Sequence, residues 1–172
     1  ALRYLRNAKE LDLYGVSNNL LLAEGFRSKL FYIHRNVNIC RLPGNPKVQA
    51  AMSDETHCAI LISYSGETEF IIEVAKVLKK KETPIIAITC IANNRLSKIA
   101  DVTLRISSRE MLHTKIGDFA TTTSIKYLLD TLYAGIFSFD YQKNLDYKIQ
   151  IAKAVDDRHS GYEFIDEDEF PQ

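Results

Sequence analysis

The sequence lacks any excess of charge of one sign, since 22 lysines and arginines balance 22 aspartates and glutamates. Binding to nucleic acid or to an anionic membrane surface requires a concentration of basic residues. This chain by itself is therefore not expected to bind DNA.

No apolar run approaches the roughly 18 residues needed to cross a bilayer, and the N-terminus lacks the apolar core of a signal peptide. We expect a soluble, cytoplasmic protein with no membrane partner.

The cysteines and histidines of the sequence give no support for a metal site. The three cysteines are Cys40, Cys58 and Cys90. They lie in or beside apolar runs and show neither a CxxC pair nor zinc-type spacing, so we interpret them as reduced, mostly buried thiols. The four histidines are scattered without an HxxxH pair, and ordinary core or surface roles explain them best. No metal and no cofactor is predicted.

Short β-like apolar runs alternate with longer segments of helical period, a pattern typical of a parallel sheet covered on both faces. The five runs are residues 11–16, 37–41, 58–63, 85–90 and 102–106. The main covering helices are expected over residues 18–34, 67–80 and 118–137, the last being a long final helix. The predicted fold class is α/β, a three-layer α/β/α sandwich with a five-stranded parallel sheet of flavodoxin-like order 2-1-3-4-5. Residues 163–172 form an acidic tail.

The segment SYSGET, residues 63–68, follows the third strand and leads directly into a helix. Three hydroxyls and several unpaired backbone N–H groups converge there on the positive end of the helix, which is a favourable place for an anion. Gly66 permits close approach of the backbone to a ligand. Ser65 or Thr68 could instead simply cap the helix, but three hydroxyls in six residues exceed what a cap needs. The segment therefore suggests a site for a phosphate ester.

A second polar turn, GVSNN, follows the first strand. Ligands of open parallel sheets bind at the carboxyl ends of strands where the strand order reverses, so this turn should lie beside residues 63–68. Ser17 is as consistent with a helix N-cap as with a ligand contact, and its place next to strand three favours the ligand. Thr89, at the end of strand four, could likewise contact a ligand or have a structural role, and we favour the structural role.

In order along the chain, SYSGET, the strand PIIAITC and the stretch NRLSKIAD at residues 94–101 resemble the SIS (sugar isomerase) domain family. The resemblance covers nearly the whole chain and is greatest to the effector domain of RpiR-type bacterial transcription regulators. Residues 124–133 are similar to a helix of those regulators, although Ile125 stands where they usually have arginine.

The resemblance implies a single SIS domain over residues 1–172, with residues 1–10 as the end of a connection from a missing N-terminal helix-turn-helix domain. It also implies a phosphosugar site in which Ser63, Ser65 and Thr68 hold the phosphate and Ser17 completes the pocket. The full predicted set is Ser17, Ser63, Tyr64, Ser65, Gly66, Glu67 and Thr68. Glu67 could orient a sugar hydroxyl or merely favour the helix dipole.

Two functions of different class remain open, together with a pure interaction module that binds no sugar. The preferred one is a phosphosugar sensor that is not an enzyme, forms a homodimer or higher homo-oligomer, and reaches DNA only through the missing domain. The alternative is a phosphosugar isomerase, which needs a general base near the substrate. Glu110 or Glu67 could act as that base and His113 as a proton carrier, but no convincing catalytic pair is evident. A surface carboxylate is the better interpretation of Glu110.

Overall fold

The computed structural model describes residues 1–40, 45–106 and 109–155. The strands are β1 (Glu10–Tyr14), β2 (Val37–Ile39), β3 (His57–Ile62), β4 (Ile85–Cys90) and β5 (Val102–Ile106). The helices are α1 (Leu2–Asn7), α2 (Asn18–Phe31), α3 (Asn45–Met52), α4 (Glu69–Lys80), α5 (Arg95–Ile99), α6 (Phe119–Ser138) and α7 (Tyr141–Val155). The strands pair in parallel in the order β2-β1-β3-β4-β5, which confirms the predicted flavodoxin-like sheet.

The sheet is buried on both faces because its central strands are almost continuously apolar. Along β3, Cys58, Ile60 and Ile62 belong to the core under α1, α2 and α6. The alternate residues Ala59 and Leu61 belong to the core under α3, α4 and α5. This alternation follows from the two-residue period of a strand and confirms the three-layer α/β/α architecture.

The order of the strands places two loops side by side. β1 lies between β2 and β3, and its last residue, Tyr14, is in register with Leu61 of β3. The chain therefore leaves β1 and β3 at neighbouring points on the carboxyl edge of the sheet, where the strand order reverses. This is the position at which ligands of such sheets bind.

Some element boundaries differ from those predicted, and backbone geometry explains the differences. β1 ends at Tyr14 rather than at residue 16, since its pairing with β3 ends there and the chain then turns towards α2 through Ser17, whose φ is 52°. α4 begins at Glu69 rather than at residue 67, because the turn at Gly66, with φ 68°, comes first. β2 ends at Ile39, and its predicted last residue, Arg41, lies outside the described residues.

The prediction that residues 118–137 form the last helix was wrong. That segment is α6, which ends at Ser138, and α7 follows it. α7 buries only Asn144 among its residues, so it adds almost nothing to the apolar core. The predicted acidic tail at residues 163–172 lies outside the described residues. No helix in the described ranges is both long and apolar enough to cross a membrane.

Candidate functional site

The loop of residues 63–68 joins the central strand β3 to α4 and stays attached to β4. The N–H of Ser63 donates to the carbonyl of Ile88 at 3.1 Å, and the N–H of Cys90 donates to the carbonyl of Tyr64 at 3.0 Å. Ser63 is buried, with 2% of its surface exposed, whereas Ser65 and Thr68 are half-buried. The sheet therefore fixes the first half of the loop, and the second half lies nearer to solvent.

Two of the three predicted phosphate ligands are in direct contact. The hydroxyl oxygens of Ser63 and Thr68 lie 3.0 Å apart, within hydrogen-bonding distance across the loop. The N–H of Gly66 donates to the Ser63 carbonyl at 3.1 Å and lies 3.2 Å from the Ser63 hydroxyl. The loop is thus a tight turn with the hydroxyls of its first and last residues facing each other.

The start of α4 is not capped by a side chain of this loop. Thr68 occupies the N-cap position with an extended backbone, but its side chain makes no capping hydrogen bond. The Ser65 hydroxyl accepts from the N–H of Glu67 at 3.2 Å, a local turn contact before the helix. The interpretation of Ser65 or Thr68 as a simple helix cap was therefore wrong. The positive end of α4 and its first N–H groups remain suited to an external anion.

Asn94, which the sequence analysis did not single out, packs directly against this loop. It is buried, with 4% of its surface exposed, and forms the N-cap of α5. A Cβ at Gly66 would lie 2.1 Å from the Asn94 side-chain amide, far inside van der Waals contact. The N–H of Leu96 also donates to the Gly66 carbonyl at 3.0 Å. Asn94 precedes a helix with Ser97 three residues later, a capping pattern that could have identified it.

The Glu67 side chain interacts with the start of α5. Its carboxylate accepts from the N–H of Arg95, the first residue of α5, at 2.9 Å. A carboxylate at that position suits the positive end of a helix. Glu69, the first residue of α4, pairs with the Arg95 guanidinium through contacts of 2.6 and 3.2 Å. The two glutamates thus connect the candidate loop to α5, which favours a structural interpretation of Glu67.

Tyr64 reaches in the opposite direction, towards the segment before α6. Its hydroxyl donates to the backbone carbonyl of Glu110 at 2.7 Å. The Lys115 ammonium lies 5.9 Å from the centre of the Tyr64 ring, within the range of a cation–π contact. The loop is therefore connected both to α5 and to the segment that leads into α6.

The Glu110 carboxylate caps α6 from outside the helix. It accepts from the N–H of Ala120 at 2.6 Å, from the N–H of Thr121 at 3.2 Å and from the Thr121 hydroxyl. The Thr121 hydroxyl, aided by the two N–H groups, lowers the pKa of Glu110 below its ordinary value of 4.5. A general base acts best with a pKa near the working pH, so this shift opposes a catalytic role. His113, the suggested proton carrier, is exposed.

The neighbouring loop after β1 places Ser17 at the N-cap of α2. Its φ of 52° and ψ of −129° are unfavourable for a residue with a Cβ, and its exposed side chain makes no capping hydrogen bond. Asn18 donates to the Asp118 carboxylate at 3.0 Å, and Asn19 reaches the carbonyl of Ile62 at 3.5 Å. Strained backbone of this kind accumulates at ligand sites.

Thr89 is fully buried at the end of β4. Its hydroxyl donates to the Tyr64 carbonyl at 3.2 Å and accepts from the Asn94 amide at 2.9 Å. Both bonds are internal to the protein, which agrees with the structural role favoured for this residue.

Two cavities on the described surface lie away from these loops. One, of about 450 Å³, is lined by the end of α2 and by β2 and includes Arg27 and Phe31. The other, of about 370 Å³, includes His34 and Tyr147. Neither lining includes a residue of the loop 63–68, and neither combines hydroxyl groups with an uncapped helix start. We therefore place the candidate site at the loop, on the carboxyl edge of the sheet.

The curated relatives of this chain include uncharacterised HTH-type transcriptional regulators. An HTH-type regulator of Clostridium perfringens is 23% identical over 151 residues, which are 88% of this chain and 54% of the relative. Another, from Thermotoga maritima, is 29% identical over 133 residues, or 74% of this chain and 45% of the relative. The chain thus spans about half the length of the curated relatives it matches.

Solved structures of the same fold include regulators and a protein with an inferred isomerase function. Among regulators, Vibrio vulnificus NanR complexed with ManNAc-6P has a TM-score of 0.79 at 21% identity, covering 90% of this chain and 58% of that one. The sugar isomerase domain of an RpiR transcription factor from Sphaerobacter thermophilus has a TM-score of 0.74 at 13% identity, covering 88% and 83%. A Methanococcus jannaschii protein with an inferred 3-hexulose-6-phosphate isomerase function has a TM-score of 0.64 at 22% identity, covering 85% and 80%.

A family model for the SIS domain matches residues 4–129. The matched stretch begins in α1 and ends within α6, so it includes all five described strands and the loop 63–68. Well over half of the chain is matched, and the strand order and the motifs agree with the match. The chain belongs to the SIS domain family.

Proposed function

We propose that this chain is the phosphosugar-binding effector domain of an RpiR-type, cytoplasmic bacterial transcriptional regulator. The observation that carries the proposal is the start of α4, where Thr68 occupies the N-cap position without capping the helix. Hydroxyls of the same loop surround this positive helix end. Such a helix end binds a phosphate ester through backbone N–H groups and hydroxyl donors.

In the bound state, the phosphate lies at the start of α4 and accepts from the hydroxyls of Ser63, Ser65 and Thr68. The contact between the Ser63 and Thr68 hydroxyls, at 3.0 Å, holds both groups at the site before the ligand arrives. The sugar extends towards the loop after β1, where Ser17 completes the pocket. No side-chain cation lies within residues 63–68, so the loop itself offers the phosphate only hydroxyl and amide donors.

Sensing is supported over catalysis by the contacts of the two candidate bases. Glu110 is engaged by three donors at the start of α6, and these hydrogen bonds lower its pKa. Glu67 accepts from the backbone of α5. Both carboxylates are thus engaged by donors at helix starts, whereas a general base for sugar isomerisation must reach the substrate proton. The second candidate function is a phosphosugar isomerase, favoured by the likeness in fold to the Methanococcus jannaschii protein.

As part of the same proposal, the regulator has two kinds of partner, namely DNA and further copies of this chain. DNA is bound by a helix-turn-helix domain that precedes α1, in line with the names and lengths of the curated relatives. The domain self-associates as a homodimer or a higher homo-oligomer. Phe119 and Tyr127 of α6 are 76% and 70% exposed and are suited to such a contact. Ligand binding then changes the geometry of the assembly and hence of the attached DNA-binding domains.

Titration calorimetry with ManNAc-6P, the ligand of a regulator with a similar structure, tests the proposal. Ser65→Ala and Thr68→Ala should each weaken binding by about 1 to 3 kcal/mol, the range for losing a hydrogen bond to a charged group. Ser138→Ala is the matched control, because that hydroxyl donates only within α6. Unchanged affinity in both loop variants would exclude the loop as the phosphate site. Conversion of any aldose phosphate into a ketose phosphate would decide for the isomerase.

A further inference from the structure

The two ends of the Asn94 side chain have different partners. The carbonyl oxygen accepts from the N–H of Ser97 at 2.9 Å and caps α5. The amide nitrogen points towards the candidate site and donates to the Thr89 hydroxyl at 2.9 Å and to the Ala92 carbonyl at 3.2 Å. The oxygen therefore supports a helix, whereas the nitrogen supports the strand end beneath the loop.

The hydrogen bond to Thr89 continues into the loop itself. The Thr89 hydroxyl donates to the carbonyl of Tyr64 at 3.2 Å, and that carbonyl also accepts from the N–H of Cys90. Asn94, Thr89 and Tyr64 thus form a chain of hydrogen bonds that fixes the peptide unit immediately before Ser65. All its polar groups are satisfied, and such buried networks hold their members rigidly.

The Asn94 amide also forms the surface against which Gly66 turns. Gly66 has a positive φ of 68°, and a Cβ at that residue would lie 2.1 Å from Asn94. The carbonyl of Gly66 accepts from Leu96, in the first turn of α5 that Asn94 caps. The peptide units on both sides of Ser65 and Gly66 are therefore held by contacts that converge on Asn94.

We infer that Asn94 is a positioning residue for the phosphosugar site: it holds the turn at Gly66 in the conformation that directs the loop hydroxyls and the start of α4 towards the ligand. The inference rests on the proposed function. Asn94 is 4% exposed, and its side-chain atoms are engaged within the protein, so it acts on the ligand through the loop. A loop that must be ordered by the ligand binds less tightly than one already in place.

Variants can separate the two ends of the Asn94 side chain. Asn94→Ala removes both. Thr89→Val removes the hydroxyl that accepts from the Asn94 amide and donates to the Tyr64 carbonyl, and it leaves the cap of α5 in place. Ser97→Ala is the matched control, because its hydroxyl accepts from the Asn94 backbone N–H at 3.1 Å and completes the capping box without touching the loop. Thr89→Ser, which keeps the hydroxyl, is the conservative rescue.

The first measurement is the rate of amide hydrogen exchange at the Gly66 N–H in the ligand-free protein. This N–H donates to the Ser63 carbonyl. Exchange should be about tenfold faster in Asn94→Ala and in Thr89→Val, the effect of losing one buried hydrogen bond, and near the wild-type rate in Ser97→Ala and Thr89→Ser. Equal rates in Asn94→Ala, Thr89→Val and the wild type would overturn the inference. So would an equally large acceleration in Ser97→Ala, since capping of α5 would then explain it.

The second measurement is calorimetric affinity for ManNAc-6P. Asn94→Ala and Thr89→Val should raise the Kd about tenfold, whereas Ser97→Ala and Thr89→Ser should leave it within about twofold. Wild-type affinity in the first two variants overturns the positioning role but leaves the proposed function intact, provided that Ser65→Ala weakens binding. Failure of the wild type to bind any phosphosugar counts against the proposed function, and the exchange rates alone then decide whether Asn94 positions the loop.

Discussion

The Tyr64 hydroxyl donates to the backbone carbonyl of Glu110 at 2.7 Å, although 46 residues separate them in the chain. This contact joins the candidate phosphate loop to the segment whose carboxylate caps α6. α6 in turn packs against α1, with Leu2 close to Gly135. A continuous set of contacts thus connects the loop with the helix at the start of the described chain.

Tyr64→Phe removes that donor while keeping the aromatic ring. We expect the free energy of unfolding to fall by about 0.5 to 1.5 kcal/mol, the usual net value of an intramolecular hydrogen bond. Urea titration followed by circular dichroism measures it. Tyr127→Phe is the control, because Tyr127 is 70% exposed on α6. A Tyr64 variant as stable as the control would show that this hydrogen bond contributes nothing to stability.

Glu110→Gln tests the remote cap of α6 through its pH dependence. Because the pKa of Glu110 is lowered in the folded protein, its stabilising contribution is complete above the unfolded value of 4.5 and is lost as the pH falls through the folded pKa. The variant should therefore melt at a lower temperature than the wild type at neutral pH, and the difference should shrink as the pH falls from 4.5 through the lowered folded pKa. Scanning calorimetry across this range measures it, with Glu55→Gln, an exposed carboxylate in the turn before β3, as control. A difference that stays constant with pH would exclude the charge of Glu110 as the cause.

The sequence allowed the sheet and the loop to be predicted because their signals are local. β3 and β4 are short, nearly continuous apolar runs, and residues 63–68 combine three hydroxyls with a glycine just before a helix. The bounds of β4 and β5 agree with the prediction.

The features that were missed depend on contacts between distant residues or on weak patterns. Glu110 caps a helix that begins nine residues later, and no local pattern indicates a cap at that distance. Asn94 is the first residue of the motif at residues 94–101, and its contact with Gly66 arises only when β4 and α5 return to the loop. α7 buries only Asn144 among its residues, so the residues that form the core gave no indication of it.

Gly66→Ala tests the turn of the candidate loop. Alanine at a φ of 68° is strained, and its Cβ would overlap the Asn94 amide, so the free energy of unfolding should fall by about 2 kcal/mol or more. ManNAc-6P binding should be lost with it. Gly25→Ala, within α2, has nothing within 4 Å of the added Cβ and should raise stability by roughly 0.5 to 1 kcal/mol. Denaturant titration of both variants gives the comparison, and a Gly66 variant as stable as the wild type would refute the assigned geometry.

Ser17→Gly separates the strain at the second loop from the contribution of its hydroxyl. Relief of roughly 1 to 3 kcal/mol of backbone strain should exceed the roughly 0.5 to 1 kcal/mol entropic cost of glycine, so the variant should be more stable by about 1 kcal/mol. No capping hydrogen bond is lost, because the Ser17 side chain makes none. Affinity for ManNAc-6P should nevertheless fall, since the hydroxyl predicted to complete the pocket is gone.

Two further variants isolate each effect. Ser17→Ala keeps the positive φ, so it should lose affinity without gaining stability. Glu82→Gly relaxes a similar φ of 57° beyond the end of α4, so it should gain stability without losing affinity. Thermal melting and calorimetry on the same samples measure both quantities. If Ser17→Gly gained stability and kept full affinity, the strain would have no connection with ligand binding, and Ser17 would be removed from the pocket.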